Sequence, residues 1–117
     1  MSDTNAAAQA AYLQSLSAAV QTAQSAFFAA SAAAQPSDQA TLQLLMAALD
    51  HTKAAYASAL SESLVNNNAF VQSEQMALDN QVTAVNAQLA KLQDIAQWLK
   101  LMTDLAKLAG SLATAFA

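Results

Sequence analysis

Large apolar residues recur along the chain at alternating intervals of three and four, the spacing that lines side chains along one face of an α-helix. In the first third the stripe runs through Leu13, Leu16, Val20, Ala23, Phe27 and Ala30. A second stripe runs through Leu42, Leu45, Leu49, Thr52, Tyr56 and Ala59, and a third through Leu78, Val82, Val85, Leu89, Leu92, Ala96 and Leu99. Nowhere do apolar and polar residues alternate over the stretch a strand requires. The expected class is therefore all-α, a single domain whose coiled-coil-like seams pack as an antiparallel helical bundle.

The breaks between stripes set the elements. Ser2, Asp3, Thr4 and Asn5 are N-cap types ahead of an Ala-rich run, so a first helix is predicted over about 5–34. Pro36 steers Gln35 out of the helical region, and Ser37 or Asp38 can cap a second helix over about 38–65. So short a connection implies a helical hairpin. The run Asn66-Asn67-Asn68 both tolerates helix-ending conformations and caps new helices, which starts a third helix near residue 69. That helix extends to about 116, either continuous or broken near its middle, giving three helices or four. If continuous it would measure about 60 Å and overhang its neighbours.

The C-terminal segment is the most amphipathic. Ile95, Trp98, Leu99, Leu101, Met102, Leu105, Leu108, Ala109, Leu112 and Phe116 fill roughly half the helical wheel, opposite Gln97, Lys100, Asp104, Lys107 and Ser111. An arc this wide calls for burial by several neighbouring helices, by a second subunit or by a membrane surface. Trp98, Leu101, Met102, Leu105, Leu108, Leu112 and Phe116 are accordingly the candidate interaction residues. Phe28 joins them, because its neighbour Phe27 occupies the first stripe and Phe28 must face elsewhere.

Composition tempers the picture. Of 117 residues 56% are apolar, but about a quarter of the chain is Ala, so the core is thin in bulky side chains and stability leans on long helices or oligomerisation. Lys53, Lys91, Lys100 and Lys107 are the only cations on a chain of net charge −4, too few for a phosphate-backbone binder; nucleic acid is excluded as a partner. No apolar run reaches bilayer-spanning length, and no basic start precedes a compact apolar core as in a cleavable signal peptide. The compartment stays open between cytoplasm and export without a cleaved leader; the lack of Cys does not decide it.

Chemistry is sparsely provided for. His51, the sole imidazole, has Ala47, Ala48, Ala54 and Ala55 one turn away, none able to bind metal or orient a ring. No two of the eight carboxylates stand three or four apart on one helix. Metal chemistry would need a cross-helix cluster around Glu62, Glu74 and Asp79. A single Gly rules out a phosphate loop, and no nucleophile motif is present. Asp50 with Lys53, Lys91 with Asp94, and Lys100 with Asp104 and Lys107 read as surface ion pairs.

These readings point to a non-enzymatic structural or interaction protein without cofactor or small-molecule substrate. Its expected partner is itself, as a homo-oligomer or polymer, or another helical protein. The alternative is a secreted membrane-active accessory protein, a toxin or translocation component, whose C-terminal helix docks onto lipid or a partner subunit. The Ala/Gln/Ser-rich, Cys-free, acidic composition is similar to that of small bacterial proteins exported as helical hairpins or assembled into polymers. The resemblance stops at composition: the Trp-x-Gly turn of the small secreted hairpin family is not present, since Trp98 is followed by Leu99-Lys100.

Overall fold

Ala, Leu, Gln and Met lose little by entering a helix, and in the computed structural model, which describes residues 2–89, 91 and 94–116, they form four helices: α1 (Ser2–Ala33), α2 (Gln39–Leu60), α3 (Ala69–Gln88) and α4 (Ile95–Ala113). A 3-10 turn, Pro36–Asp38, joins α1 to α2. There is no strand among the described residues, only an isolated bridge between Leu64 and Phe116. The bundle is an elongated rod of 54 × 23 × 18 Å. At 1.5 Å per residue the 32 residues of α1 span about 48 Å, nearly the whole rod.

Helix packing is uneven. α1 and α4 each pack against the other three helices, α2 with α4 is the most extensive pair, and α2 and α3 flank the α1–α4 pair with no substantial contact between them. The face that α1 turns inward is Tyr12, Leu16, Ala19, Ala23, Ala26 and Ala30, all buried. This is the three-four spacing expected, rotated from the predicted stripe: Leu16, Ala23 and Ala30 are shared, whereas Leu13 and Phe27 are only partly buried. The rotation follows from crowding. A helix contacted by three others lets them approach closely only where its side chains are small.

On α2, Leu45, Leu49, Thr52 and Ala59 of the predicted stripe are buried, joined by Ala48 and Ala55, while Leu42 and Tyr56 pack at the margin. The helix ends at Leu60, short of the predicted 65: the Ser61 and Glu62 N–H groups still bond back to Ala57 and Ala59, but those from Leu64 onward bond elsewhere. Leu64 N–H donates to Gln9 Oε1 at 2.9 Å, and those of Val65 and Asn66 donate to the Ala115 carbonyl at 2.9 and 3.1 Å. Asp38 occupies the N-cap position of α2, but its carboxylate accepts from Gln35 N–H at 2.8 Å instead of capping the helix.

Asn68 caps α3 as its sequence position predicts, its Oδ1 accepting from Val71 N–H at 3.0 Å. The segment expected over about 69–116, continuous or broken near its middle, is two helices. Asp94 starts the second by accepting from Ala96 N–H at 3.0 Å. Breaking the helix leaves a few backbone groups to be satisfied by caps and turns. Folding back buries Trp98, Met102, Leu105 and Leu112, each worth roughly 1.5–3 kcal/mol. The gain outweighs the loss, and the third stripe does not run through the junction: Leu78 and Val85 are buried, Ala96 is exposed, and Leu92 lies outside the described residues.

The buried hydroxyls are all bonded. Ser15 Oγ accepts from Gln75 Nε2 at 3.2 Å, Thr22 Oγ1 donates to Asn86 Oδ1 at 3.4 Å, and Thr52 Oγ1 donates to the Ala48 carbonyl at 2.9 Å. The Ser15 and Thr22 bonds tie α1 to α3, and Tyr12 Oη, donating to Asn67 Oδ1 at 2.8 Å, ties it to the loop before α3. Tyr12, Ser15 and Thr22 meet Asn67, Gln75 and Asn86 in the same order, so α1 and α3 advance along the rod together.

Candidate interaction surface

The wide apolar arc of α4 is buried by the chain's own helices. Trp98, Met102, Leu105 and Leu112 are at most 1% exposed, and Phe116, just past the helix, lies buried beside Leu64. Of the candidate interaction residues these five are core. Leu101 and Leu108 are half-buried and packed against that core. The Leu101 carbonyl accepts from Gln81 Nε2 at 3.0 Å, which pins α3 to α4 at that level. Only Phe28, 71% exposed, stands free of the bundle, with its ring edge-on to Phe27 at a centroid distance of 6.3 Å. A helix packed against three others buries a wide apolar arc, and the wheel alone could not tell that outcome from a second subunit or a membrane.

The structure adds large apolar side chains that sequence reasoning passed over. Leu44, Met46, Leu60, Val65, Phe70 and Met76 are exposed, with Phe70 at 68% and Met76 at 65%. Their common signal is position off the stripe. Leu44 and Leu45 are adjacent, about 100° apart around the helix, so the burial of Leu45 turns Leu44 outward. Phe28 near the end of α1 and Leu44 and Met46 near the start of α2 lie toward the same end of the rod, beside the connecting turn. Leu60, Val65 and Phe70 gather around the α2–α3 connection at the other end.

Charge is thin on this surface. Among the described residues one ion pair forms, Lys100 with Asp104 at 3.4 Å, one helical turn apart and largely exposed, an arrangement worth well under about 1 kcal/mol. The pairs expected of Asp50 with Lys53 and of Lys91 with Asp94 do not form. No group of three or more His, Asp or Glu among the described residues could hold a metal ion, so Glu62, Glu74 and Asp79 make no such cluster. Burial raises the Tyr12 phenol above its ordinary value. No helix among the described residues is long and apolar enough to cross a membrane.

Grooves mark the helix seams. One of about 430 Å³ lies between α2 and α4 with His51 and Lys107 among its walls. Smaller ones of about 300 and 270 Å³ lie beside Leu101 and Leu108. Neither protein-family models, nor curated proteins, nor solved structures provide a match to this chain.

Proposed function

We propose that this chain is a non-enzymatic structural or interaction protein that self-associates, as an oligomer or polymer, through the large apolar side chains its bundle leaves outside. One observation carries the reading: Phe28, Phe70 and Met76 are each more than 60% exposed, with Leu44, Leu60 and Val65 more than half exposed. Covering a fully exposed side chain of this size is worth roughly 1.5–3 kcal/mol, and several covered together work against the cost of association. The exposed set gathers toward both ends of a 54 Å rod. Unlike ends meeting head to tail give an open polymer, whereas like ends meeting give a closed dimer.

The same reading treats α1 and α2 as an antiparallel hairpin, supported by the contact of Gln9, early in α1, with Leu64, just beyond α2. A helical partner protein would use the same exposed residues. Docking of the C-terminal helix onto lipid would instead require Trp98, Met102, Leu105 and Leu112 to leave the core, at a cost of several kcal/mol on the same scale.

The test is light scattering after size exclusion across a concentration series, with circular dichroism on the same samples. A defined multimer or growing polymer is expected from the native chain, and a smaller species of unchanged helicity from the combined Phe28→Ser and Phe70→Ser variant. A native chain that stays monomeric at every concentration would overturn the proposal.

A further inference from the structure

The groove between α2 and α4 exists because small residues meet there. Ala47 and Ala48 on α2 and Ala106 on α4 leave between the two helices a space of about 430 Å³ that larger side chains would fill. That volume lies within the range of small-molecule sites, and seams between bundle helices are a common place for them.

The groove has a direction. Leu64, just past α2, pairs with Phe116, just past α4, so the two helices end at the same end of the rod and run the same way. Leu44 and Leu99 lie within five residues of the first residues of their helices, Gln39 and Ile95, while His51 and Lys107 each lie twelve residues beyond those starts. Leu44 and Leu99 thus wall one end and His51 and Lys107 the other, roughly 10 Å apart along the helix axis, with the hydroxyl-bearing Thr103 between.

The charge at that second end is unusual for this chain. The protein carries only four Lys against eight acids. Lys100 is engaged by Asp104 at 3.4 Å, whereas Lys107 makes no ion pair among the described residues. Asp50 precedes His51, but about 100° around α2 from it. Asp104 and Lys107 share the neighbouring α3–α4 groove, so Lys107 stands on the ridge between the two and its flexible stem can swing its ammonium over either.

From this grading of apolar to cationic we propose that the α2–α4 groove binds a single-chain amphiphile with an anionic head, the class of a medium-length saturated fatty acid. The alkyl tail lies over Ala47, Ala48 and Ala106 toward Leu44 and Leu99, and the carboxylate sits between Lys107 and His51. The Lys107 ammonium and the imidazole N–H donate to it. The site does not use the exposed phenylalanines, and of the side chains proposed for self-association it shares only Leu44.

Calorimetric titration of the full chain with laurate below its micelle-forming concentration tests the proposal, with light scattering on the same samples. Saturable binding of one laurate per chain at unchanged particle size is expected. Lys107→Glu should weaken it at least tenfold. Ala47→Leu, which fills the groove from an exposed position, should do the same with helicity intact. Dodecyltrimethylammonium, with the same tail length and the opposite head, should bind at least tenfold more weakly than laurate. Equal binding of the two amphiphiles, affinity indifferent to both substitutions, or laurate acting only by dissociating assembled chains would each overturn it.

Discussion

Leu64 and Phe116 face each other as an isolated antiparallel bridge, so the segment after α4 is stitched to the connection between α2 and α3. The carbonyl of Ala115 reinforces the stitch by accepting from both Val65 and Asn66. Phe116 is thereby a structural residue although it lies beyond the last helix. Replacing Phe116 with Ala should lower the unfolding free energy by about 3 kcal/mol, since a buried aromatic is lost and its space cannot fully close. Urea denaturation followed by circular dichroism checks this. Phe28→Ser, on the open surface, should stay within about 0.5 kcal/mol at concentrations where the chain is dispersed.

Tyr12 gives the protein an alkaline limit. Its phenol is buried and donates to Asn67, and burial holds its pKa above the ordinary value of about 10. The unfolded chain then releases this proton at lower pH than the folded one. Tyr12 therefore contributes its full stability below pH of about 10, and the contribution falls as pH climbs from there through the raised value. Thermal unfolding measured from pH 8 upward should show this decline. Tyr12→Phe should flatten that part of the curve while costing about 0.5–1.5 kcal/mol at neutral pH for the lost hydrogen bond.

Gly110 lies within α4 in ordinary helical backbone, and a methyl group added there would meet nothing within 4 Å. Gly110→Ala should raise stability by about 0.5–1 kcal/mol, because the unfolded chain loses freedom and the folded one loses nothing. A rise in Tm of a few degrees by differential scanning calorimetry is the expected reading. A fall would mean that close approach of another helix needs the bare backbone.

Thr52 is fully buried, and its hydroxyl bonds only to the carbonyl of Ala48 one turn back on its own helix. That carbonyl keeps its helical partner when the hydroxyl is removed. Thr52→Val, similar in shape, should therefore change stability by less than about 1 kcal/mol in either direction. Chemical denaturation distinguishes this from the larger loss expected if the hydroxyl tied two helices together.

How far the sequence reveals this fold differs from helix to helix. On α2 the three-four pattern of bulky residues coincides with the buried face, because Leu45 and Leu49 are flanked by Ala48 and Ala55 and one face dominates. On α1 bulk misleads: Leu13 and Phe27 lie at the edge of the contact and Ala19 and Ala26 at its centre, since closeness to three neighbours favours small side chains. Asn68 signals the start of α3 openly. The stop between α3 and α4 is hidden, because its physical cause is the distant burial of Trp98 and Leu105 and only Asp94 marks it locally. The candidate interaction surface is least legible. A helical wheel ranks faces by apolarity, and the most apolar face, that of α4, went into the core, leaving outside the isolated residues that no wheel emphasises.

The inward turn of α4 also bears on how cooperatively the bundle forms. α4, which carries Trp98, Met102, Leu105 and Leu112, packs against all three other helices. Without it α1 still meets α2 and α3, but the apolar faces that α4 covers stay open to water. The core is therefore complete only when all four helices are in place, which couples the ends of α1, α2 and α3 to one another through a helix that touches each of them.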